Sequence, residues 1–203
     1  MWLIFSEKTN VKPHTVTGLT PGIVYEFRVE ARNLVGHSPY SASISELAAQ
    51  VPDAPIALAD VPSITLADRI GLTWQPPLFN GGSPIIDYRL WYDNATGATF
   101  TIIANNLQLS YTALNLVQGK TYTFKVEAYN IYGYSAYSVP VSILAAQIPA
   151  IPAAPITIWR PDDVIVDWTA PDDGGSPIVS YRILIRQADG ATYSTALTNC
   201  DGT

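Results

Sequence analysis

A chain of 203 residues that is 48% hydrophobic and 11% aromatic carries enough apolar mass for packed cores, which excludes a disordered segment. The net charge is −6, and its eleven Lys plus Arg are set singly, so no basic stripe is available to neutralise phosphates and nucleic acid is excluded as an expected partner. Apolar runs such as Trp2-Leu3-Ile4-Phe5 fall far short of the roughly 20 residues that span a bilayer. With no basic stretch ahead of a cleavable apolar run, neither an anchor nor a secretion signal is expected in this segment.

In chain order, the first legible segment is YEFRVEARNLVGHSPYS, residues 25–41, in which Tyr25, Phe27 and Val29 alternate with polar neighbours as in a half-buried strand. Leu47-Ala48-Ala49-Gln50 follows, and then a proline-rich joint, Val51-Pro52-Asp53-Ala54-Pro55, where missing amides forbid continued sheet. Residues 55–147 read as seven short strands, near 56–61, 68–75, 85–93, 98–104, 109–114, 120–130 and 135–145. They are separated by turn clusters such as Asn80-Gly81-Gly82-Ser83-Pro84 and Asn94-Ala95-Thr96-Gly97, and no run has helical period. Within this stretch the opening motif returns as YTFKVEAYNIYGYSAYS, residues 122–138, identical at ten of seventeen positions and 97 residues on (122 − 25). Leu144-Ala145-Ala146-Gln147 and a second joint, Ile148 to Pro155, close it. Gly-Gly-Ser-Pro-Ile, residues 81–85, returns at 174–178.

The pattern predicts an all-β, antiparallel sandwich repeated in tandem. Three features together resemble the fibronectin type III module, an immunoglobulin-like β-sandwich without the disulfide. Trp74 and Trp168 end a strand and lead into Gly-Gly-Ser-Pro-Ile-x-x-Tyr-Arg; Leu19, Gly22 and Tyr25 match Leu116, Gly119 and Tyr122; and Phe-x-Val-x-Ala-x-Asn-x-x-Gly-x-Ser follows each of those tyrosines. The resemblance implies that Tyr25 and Tyr122 are tyrosine corners and that Trp74 and Trp168 are core tryptophans. It divides the chain into the second half of a module (1–50), a complete module (51–148) and the first half of another (149–203). The half-modules are expected to be completed by strands of the same polypeptide beyond this segment, or by strand exchange with a second chain.

Candidate chemistry is sparse. His14 and His37 have no ligand partner at metal spacing, Cys200 is the only cysteine, and Gly36-His37-Ser38 lacks the second glycine of a nucleophile elbow, so neither metal, cofactor nor catalytic residue is expected. Asp162-Asp163 and Asp172-Asp173 raise calcium as an idea, but without a recognisable loop they read as solvated surface. Asn94-Ala95-Thr96 is an N-glycosylation sequon at a hairpin tip. Trp91, Tyr129, Tyr132, Tyr134 and Tyr137 form an aromatic group that serves either as a protein-contact surface or as cover for its own sheet. The loop at Asn130–Tyr134 carries no Arg-Gly-Asp tripeptide.

The expected role is therefore a non-catalytic structural or adhesive repeat segment of a long extracellular or cell-surface fibrous protein, in contact with other protein modules or with itself. A cytoplasmic cytoskeletal or muscle-type scaffold, and an accessory module of a secreted carbohydrate-active enzyme, are the alternatives.

Overall fold

The computed structural model of the chain describes residues 13–161, 163–186, 191 and 193–195. Trp2, Asp162 and Cys200 lie outside the described residues. Among the described residues there are fourteen strands and no helix, as the period-two pattern predicts.

Strands β1 (Ile23–Phe27) and β2 (Ile44–Ala48) pair antiparallel, with Tyr25 opposite Glu46. The central stretch supplies β3 (Ile56–Asp60), β4 (Arg69–Gln75), β5 (Asp87–Tyr92), β6 (Thr101–Asn106), β7 (Ser110–Leu114), β8 (Thr121–Asn130), β9 (Gly133–Tyr134) and β10 (Val141–Leu144). They form a three-stranded sheet of order β3-β4-β7 and a second sheet of order β10-β8-β5-β6, with β9 on β8. This is a β-sandwich with antiparallel pairing. Beyond it, β11 (Ile156–Arg160) pairs with β12 (Asp163–Asp167), and β13 (Leu184–Arg186) with β14 (Tyr193–Thr195).

By their internal contacts the residues group into two compact units: Met1–Ala59 with Thr73–Tyr111 and Thr123–Val141, and Asp60–Leu72 with Thr112–Tyr122 and Ser142–Thr203. Each proline-rich joint lies inside a unit. In the first unit Trp74, Tyr88, Leu90, Phe124, Val126 and Ala128 are buried, and Trp74 meets Tyr88 edge-on at 6.2 Å. In the second, Ile70, Leu72, Ala113, Tyr122, Ile143 and Ala145 are buried; Trp168 meets Tyr181 at 5.3 Å in the same edge-on manner. Alternation in sequence thus becomes alternation of burial, most plainly along β8.

The seventh central strand is shorter than 135–145. Residues 135–140 carry no regular ladder, and serines substitute for it. Ser135 Oγ accepts from the Ala128 amide at 2.9 Å and Ser138 Oγ from the Val126 amide at 3.1 Å, while their own amides donate to the Ala128 and Val126 carbonyls. Pro140, with no amide to give, follows. The same construction holds the first copy, with Ser38 on Ala31 and Ser41 on Val29. The fourth central strand begins at 101 rather than 98, because Thr96 Oγ1 accepts from the Thr99 amide at 3.3 Å and keeps the chain turning.

Candidate functional site

Two regions of the molecule bring distant residues together: the outer face of the β5–β8 sheet, and the joints.

On the outer face, strand register sets Trp91 opposite Lys125 and Arg89 opposite Glu127. Trp91 Nε1 donates to Glu127 Oε1 at 3.0 Å, and its ring meets Tyr137 edge-on at 6.0 Å. Lys125 Nζ lies 3.7 Å from the Tyr137 ring centre and 4.1 Å from that of Phe100, within cation–π range. The Arg89 guanidinium lies 3.8 Å over Tyr134, which packs on Tyr129 at 4.4 Å. Burial pushes the Tyr134 hydroxyl pKa up, opposed by Arg89. Trp91, Tyr129, Tyr134 and Tyr137 therefore lie along their own sheet, interleaved with charge, although Tyr137 keeps 44% of its surface exposed; Tyr132 stands at the loop tip with 45% exposed.

Asn94 sits exposed at the tip between β5 and β6 with φ of 50°. Buried Asp93 builds that tip by accepting from the amides of Ala95, Gly97 and Thr123. Tyr25 and Tyr122 behave alike: each hydroxyl accepts, at 2.9 Å, from an amide five residues upstream, that of Thr20 and of Val117. Ser38 is spent on backbone groups, with Oγ accepting from Ala31 and donating to the Pro39 carbonyl. Among the described residues no cluster of His, Cys, Asp or Glu is placed to hold a metal ion. Asp172 and Asp173 cap the Gly174 and Gly175 amides instead.

The joints were legible in the sequence as proline-rich connectors; the contacts that close them were not. At the first, the Gln50 amide donates to the Gly81 carbonyl at 2.8 Å and the Asp53 amide to that of Phe79 at 3.0 Å. At the second, Gln147 donates to Gly174 at 2.8 Å and Ala150 to Asp172 at 2.9 Å. Asn130, fully buried, ties the first joint from beneath: its Nδ2 donates to the carbonyls of Gln50 and Asn80, and its Oδ1 accepts from the Tyr132 amide. Gln118 Nε2 donates to Asp172 Oδ1 at 2.8 Å in the second. The recurrence of Leu-Ala-Ala-Gln and Gly-Gly-Ser-Pro-Ile was the available signal, since those are the two segments that meet.

A sandwich of these sheet orders, with a core tryptophan and a tyrosine corner, is a fold shared by several families. The sequence of residues 61–143 decides among them by matching the model of the fibronectin type III domain. Residues 61–143 are a fibronectin type III domain. The chain is 28% identical over 183 residues to human "Fibronectin type-III domain-containing protein 3A", an alignment covering 89% of this chain and 15% of that protein. It is 29% identical over 209 residues to chicken "M-protein, striated muscle", covering 94% of this chain and 14% of the relative. The chain thus spans about 15% of the length of such curated relatives. Among solved structures, titin domains A168–A170 superpose with a TM-score of 0.50 and 26% identity, over 63% of this chain and 43% of that one. The first of these relatives is named for its fibronectin type III domain, and no catalytic family is indicated. Among the described residues no helix is long and apolar enough to cross a membrane.

Proposed function

We propose that this chain is a non-catalytic structural segment of a tandem fibronectin type III array, with residues 51–148 as a complete module and residues 1–50 and 149–203 as the second and first halves of its neighbours. The observation that carries this reading is the joint built twice from the same segments with the same hydrogen bonds. Uncovered apolar positions support the half-module assignment: Ile156, Ile158 and Trp159 on β11 are 62%, 51% and 77% exposed, more than a finished sandwich leaves. Adjoining strands of a further module, in the same polypeptide, complete them in this reading.

Protein contact falls to the outer face of the central module, at the exposed rim formed by Tyr132 and Tyr137. Sedimentation of the chain across a concentration series tests self-association; Tyr132→Ser with Tyr137→Ser weakens it on this reading, and an unchanged profile sinks the assignment of that rim. The exposed sequon supports an extracellular or surface location with an N-linked glycan on Asn94. Expression in a secreting eukaryotic host should then give a mass that falls on glycosidase treatment, and an unmodified Asn94 removes this support.

The second reading, a muscle-type scaffold, is favoured by the likeness to the striated-muscle M-protein and to titin. Co-assembly of the chain with cytoskeletal filaments, with no glycan in the native protein, would select it.

A further inference from the structure

The two joints resemble one another more than their linkers do, for Val51–Pro55 and Ile148–Pro155 differ in length and sequence. What they share is a contact of glycine on glycine. We infer that each joint is a closed module-to-module interface whose partner is a preceding copy of the same module, admitted by the second glycine of the Gly-Gly loop: Gly82 packs on the Gly22 turn, and Gly175 on the Gly119 turn.

A β-carbon on Gly82 would overlap the backbone nitrogen of Gly22 and lie 2.6 Å from its Cα; one on Gly175 would lie 2.7 Å from the Gly119 nitrogen and 2.9 Å from the Ala145 carbonyl oxygen. These neighbours are backbone atoms and cannot swing aside as a side chain would. They are also held in place, because the Gly22 amide donates to Ala48 and the Gly119 amide to Ala145, pinning each turn to the last strand of its own module. The first glycine of each pair closes the other side, since a β-carbon on Gly81 or Gly174 would overlap the carbonyl of Gln50 or Gln147.

Loop conformation alone does not account for this. Gly97 has a positive φ of 73°, close to the 80° of Gly82, yet nothing lies within 4 Å of its missing β-carbon. The crowding at Gly82 and Gly175 belongs to the preceding module. A proline-rich stretch bracketed by two hydrogen bonds and such a contact is no free swivel, and succession in the array is restricted to copies that present Gly-Gly at the joint. The inference rests on the tandem reading above but fails separately, because opening a joint leaves core amides such as Val126 protected.

Amide hydrogen exchange followed by NMR on the 203-residue chain tests it. Gln50, Asp53, Gln147 and Ala150 are expected to be protected in the unaltered chain. Gly82→Ala should speed exchange at Gln50 and Asp53, and Gly175→Ala at Gln147 and Ala150, by about tenfold or more. Each should leave the other joint unchanged, and Gly97→Ala should affect neither. Joint amides unprotected at the outset, or as slow in both joint variants as in the unaltered chain, overturn the proposal; so does an equal effect of Gly97→Ala.

Discussion

The side-chain amide of Asn130 donates to the backbone carbonyl of Gln50 at 2.7 Å, across 80 residues of sequence and with no surface of Asn130 exposed. One residue at the end of β8 thereby satisfies groups on its own turn, on the Gly-Gly loop and at Gln50, just past β2. Removing it strands the Tyr132 amide and two carbonyls. Asn130→Ala is expected to lower unfolding stability by about 1–3 kcal/mol in urea titration, through three part-buried hydrogen bonds and a buried side chain lost together. Asn33, its equivalent 97 residues earlier, is exposed and caps only the Val35 and Gly36 amides; Asn33→Ala is expected to change stability by about 0.5 kcal/mol or less. Equal effects would contradict a joint role for Asn130.

Tyr122 is buried and its hydroxyl takes the Val117 amide. Tyr122→Phe keeps the ring and deletes the acceptor, so the central module should lose about 1–3 kcal/mol. Tyr25→Phe, at a half-buried site where water can replace the hydroxyl, should lose less. Chemical denaturation of both variants checks the order; a larger loss at Tyr25 reverses it.

Val126 is fully buried whereas Val29, the same residue at the same point of the repeat, is 72% exposed. Val126→Ala should destabilise by about 1–3 kcal/mol through lost packing, and Val29→Ala by no more than about 0.5 kcal/mol in this chain. If residues 1–50 are the second half of a module, as proposed, supplying its first strands by extending the chain or adding them as a second polypeptide should raise the cost of Val29→Ala toward that of Val126→Ala. A cost that stays low argues against residues 1–50 being half of a sandwich.

Hydrogen bonds from the Gly174 amide and then from Gln118 hold the Asp172 carboxyl below the ordinary carboxylate range. A depressed folded-state value means that this group's contribution is fully present above the ordinary aspartate pKa and declines as pH falls through that value to the depressed one. An NMR titration should place the Asp172 midpoint below that of an unstructured aspartate, with the Gln118 side-chain amide moving in step. Asp172→Asn should abolish the transition at Gln118. A midpoint at or above the ordinary value refutes the pairing in solution.

Much of this was legible because it is local. Period-two alternation places Phe124 and Val126 on one face of a strand wherever that strand ends up, since successive side chains point to opposite sides. The resemblance carried by Leu116, Gly119 and Tyr122 implies a tyrosine corner within a span of seven residues, and the structure builds it at Tyr122 and again at Tyr25. The strand over 135–145 was over-read for the same reason: alternation cannot register that Ser135 and Ser138 replace the ladder with side-chain hydrogen bonds.

By itself, then, the sequence determined the strands, the tandem period, the corner tyrosines and the two places where the chain must stop being sheet. Tertiary structure alone decided three things. It laid Trp91 and Tyr137 along their own sheet around Lys125, it buried Val126 while leaving Val29 uncovered, and it brought Gly-Gly loops against turns roughly 60 residues away in sequence. The physical reason is common to all three: burial and close approach belong to pairs of segments. A glycine whose absent side chain makes room for another strand looks, in one dimension, like any glycine in a loop.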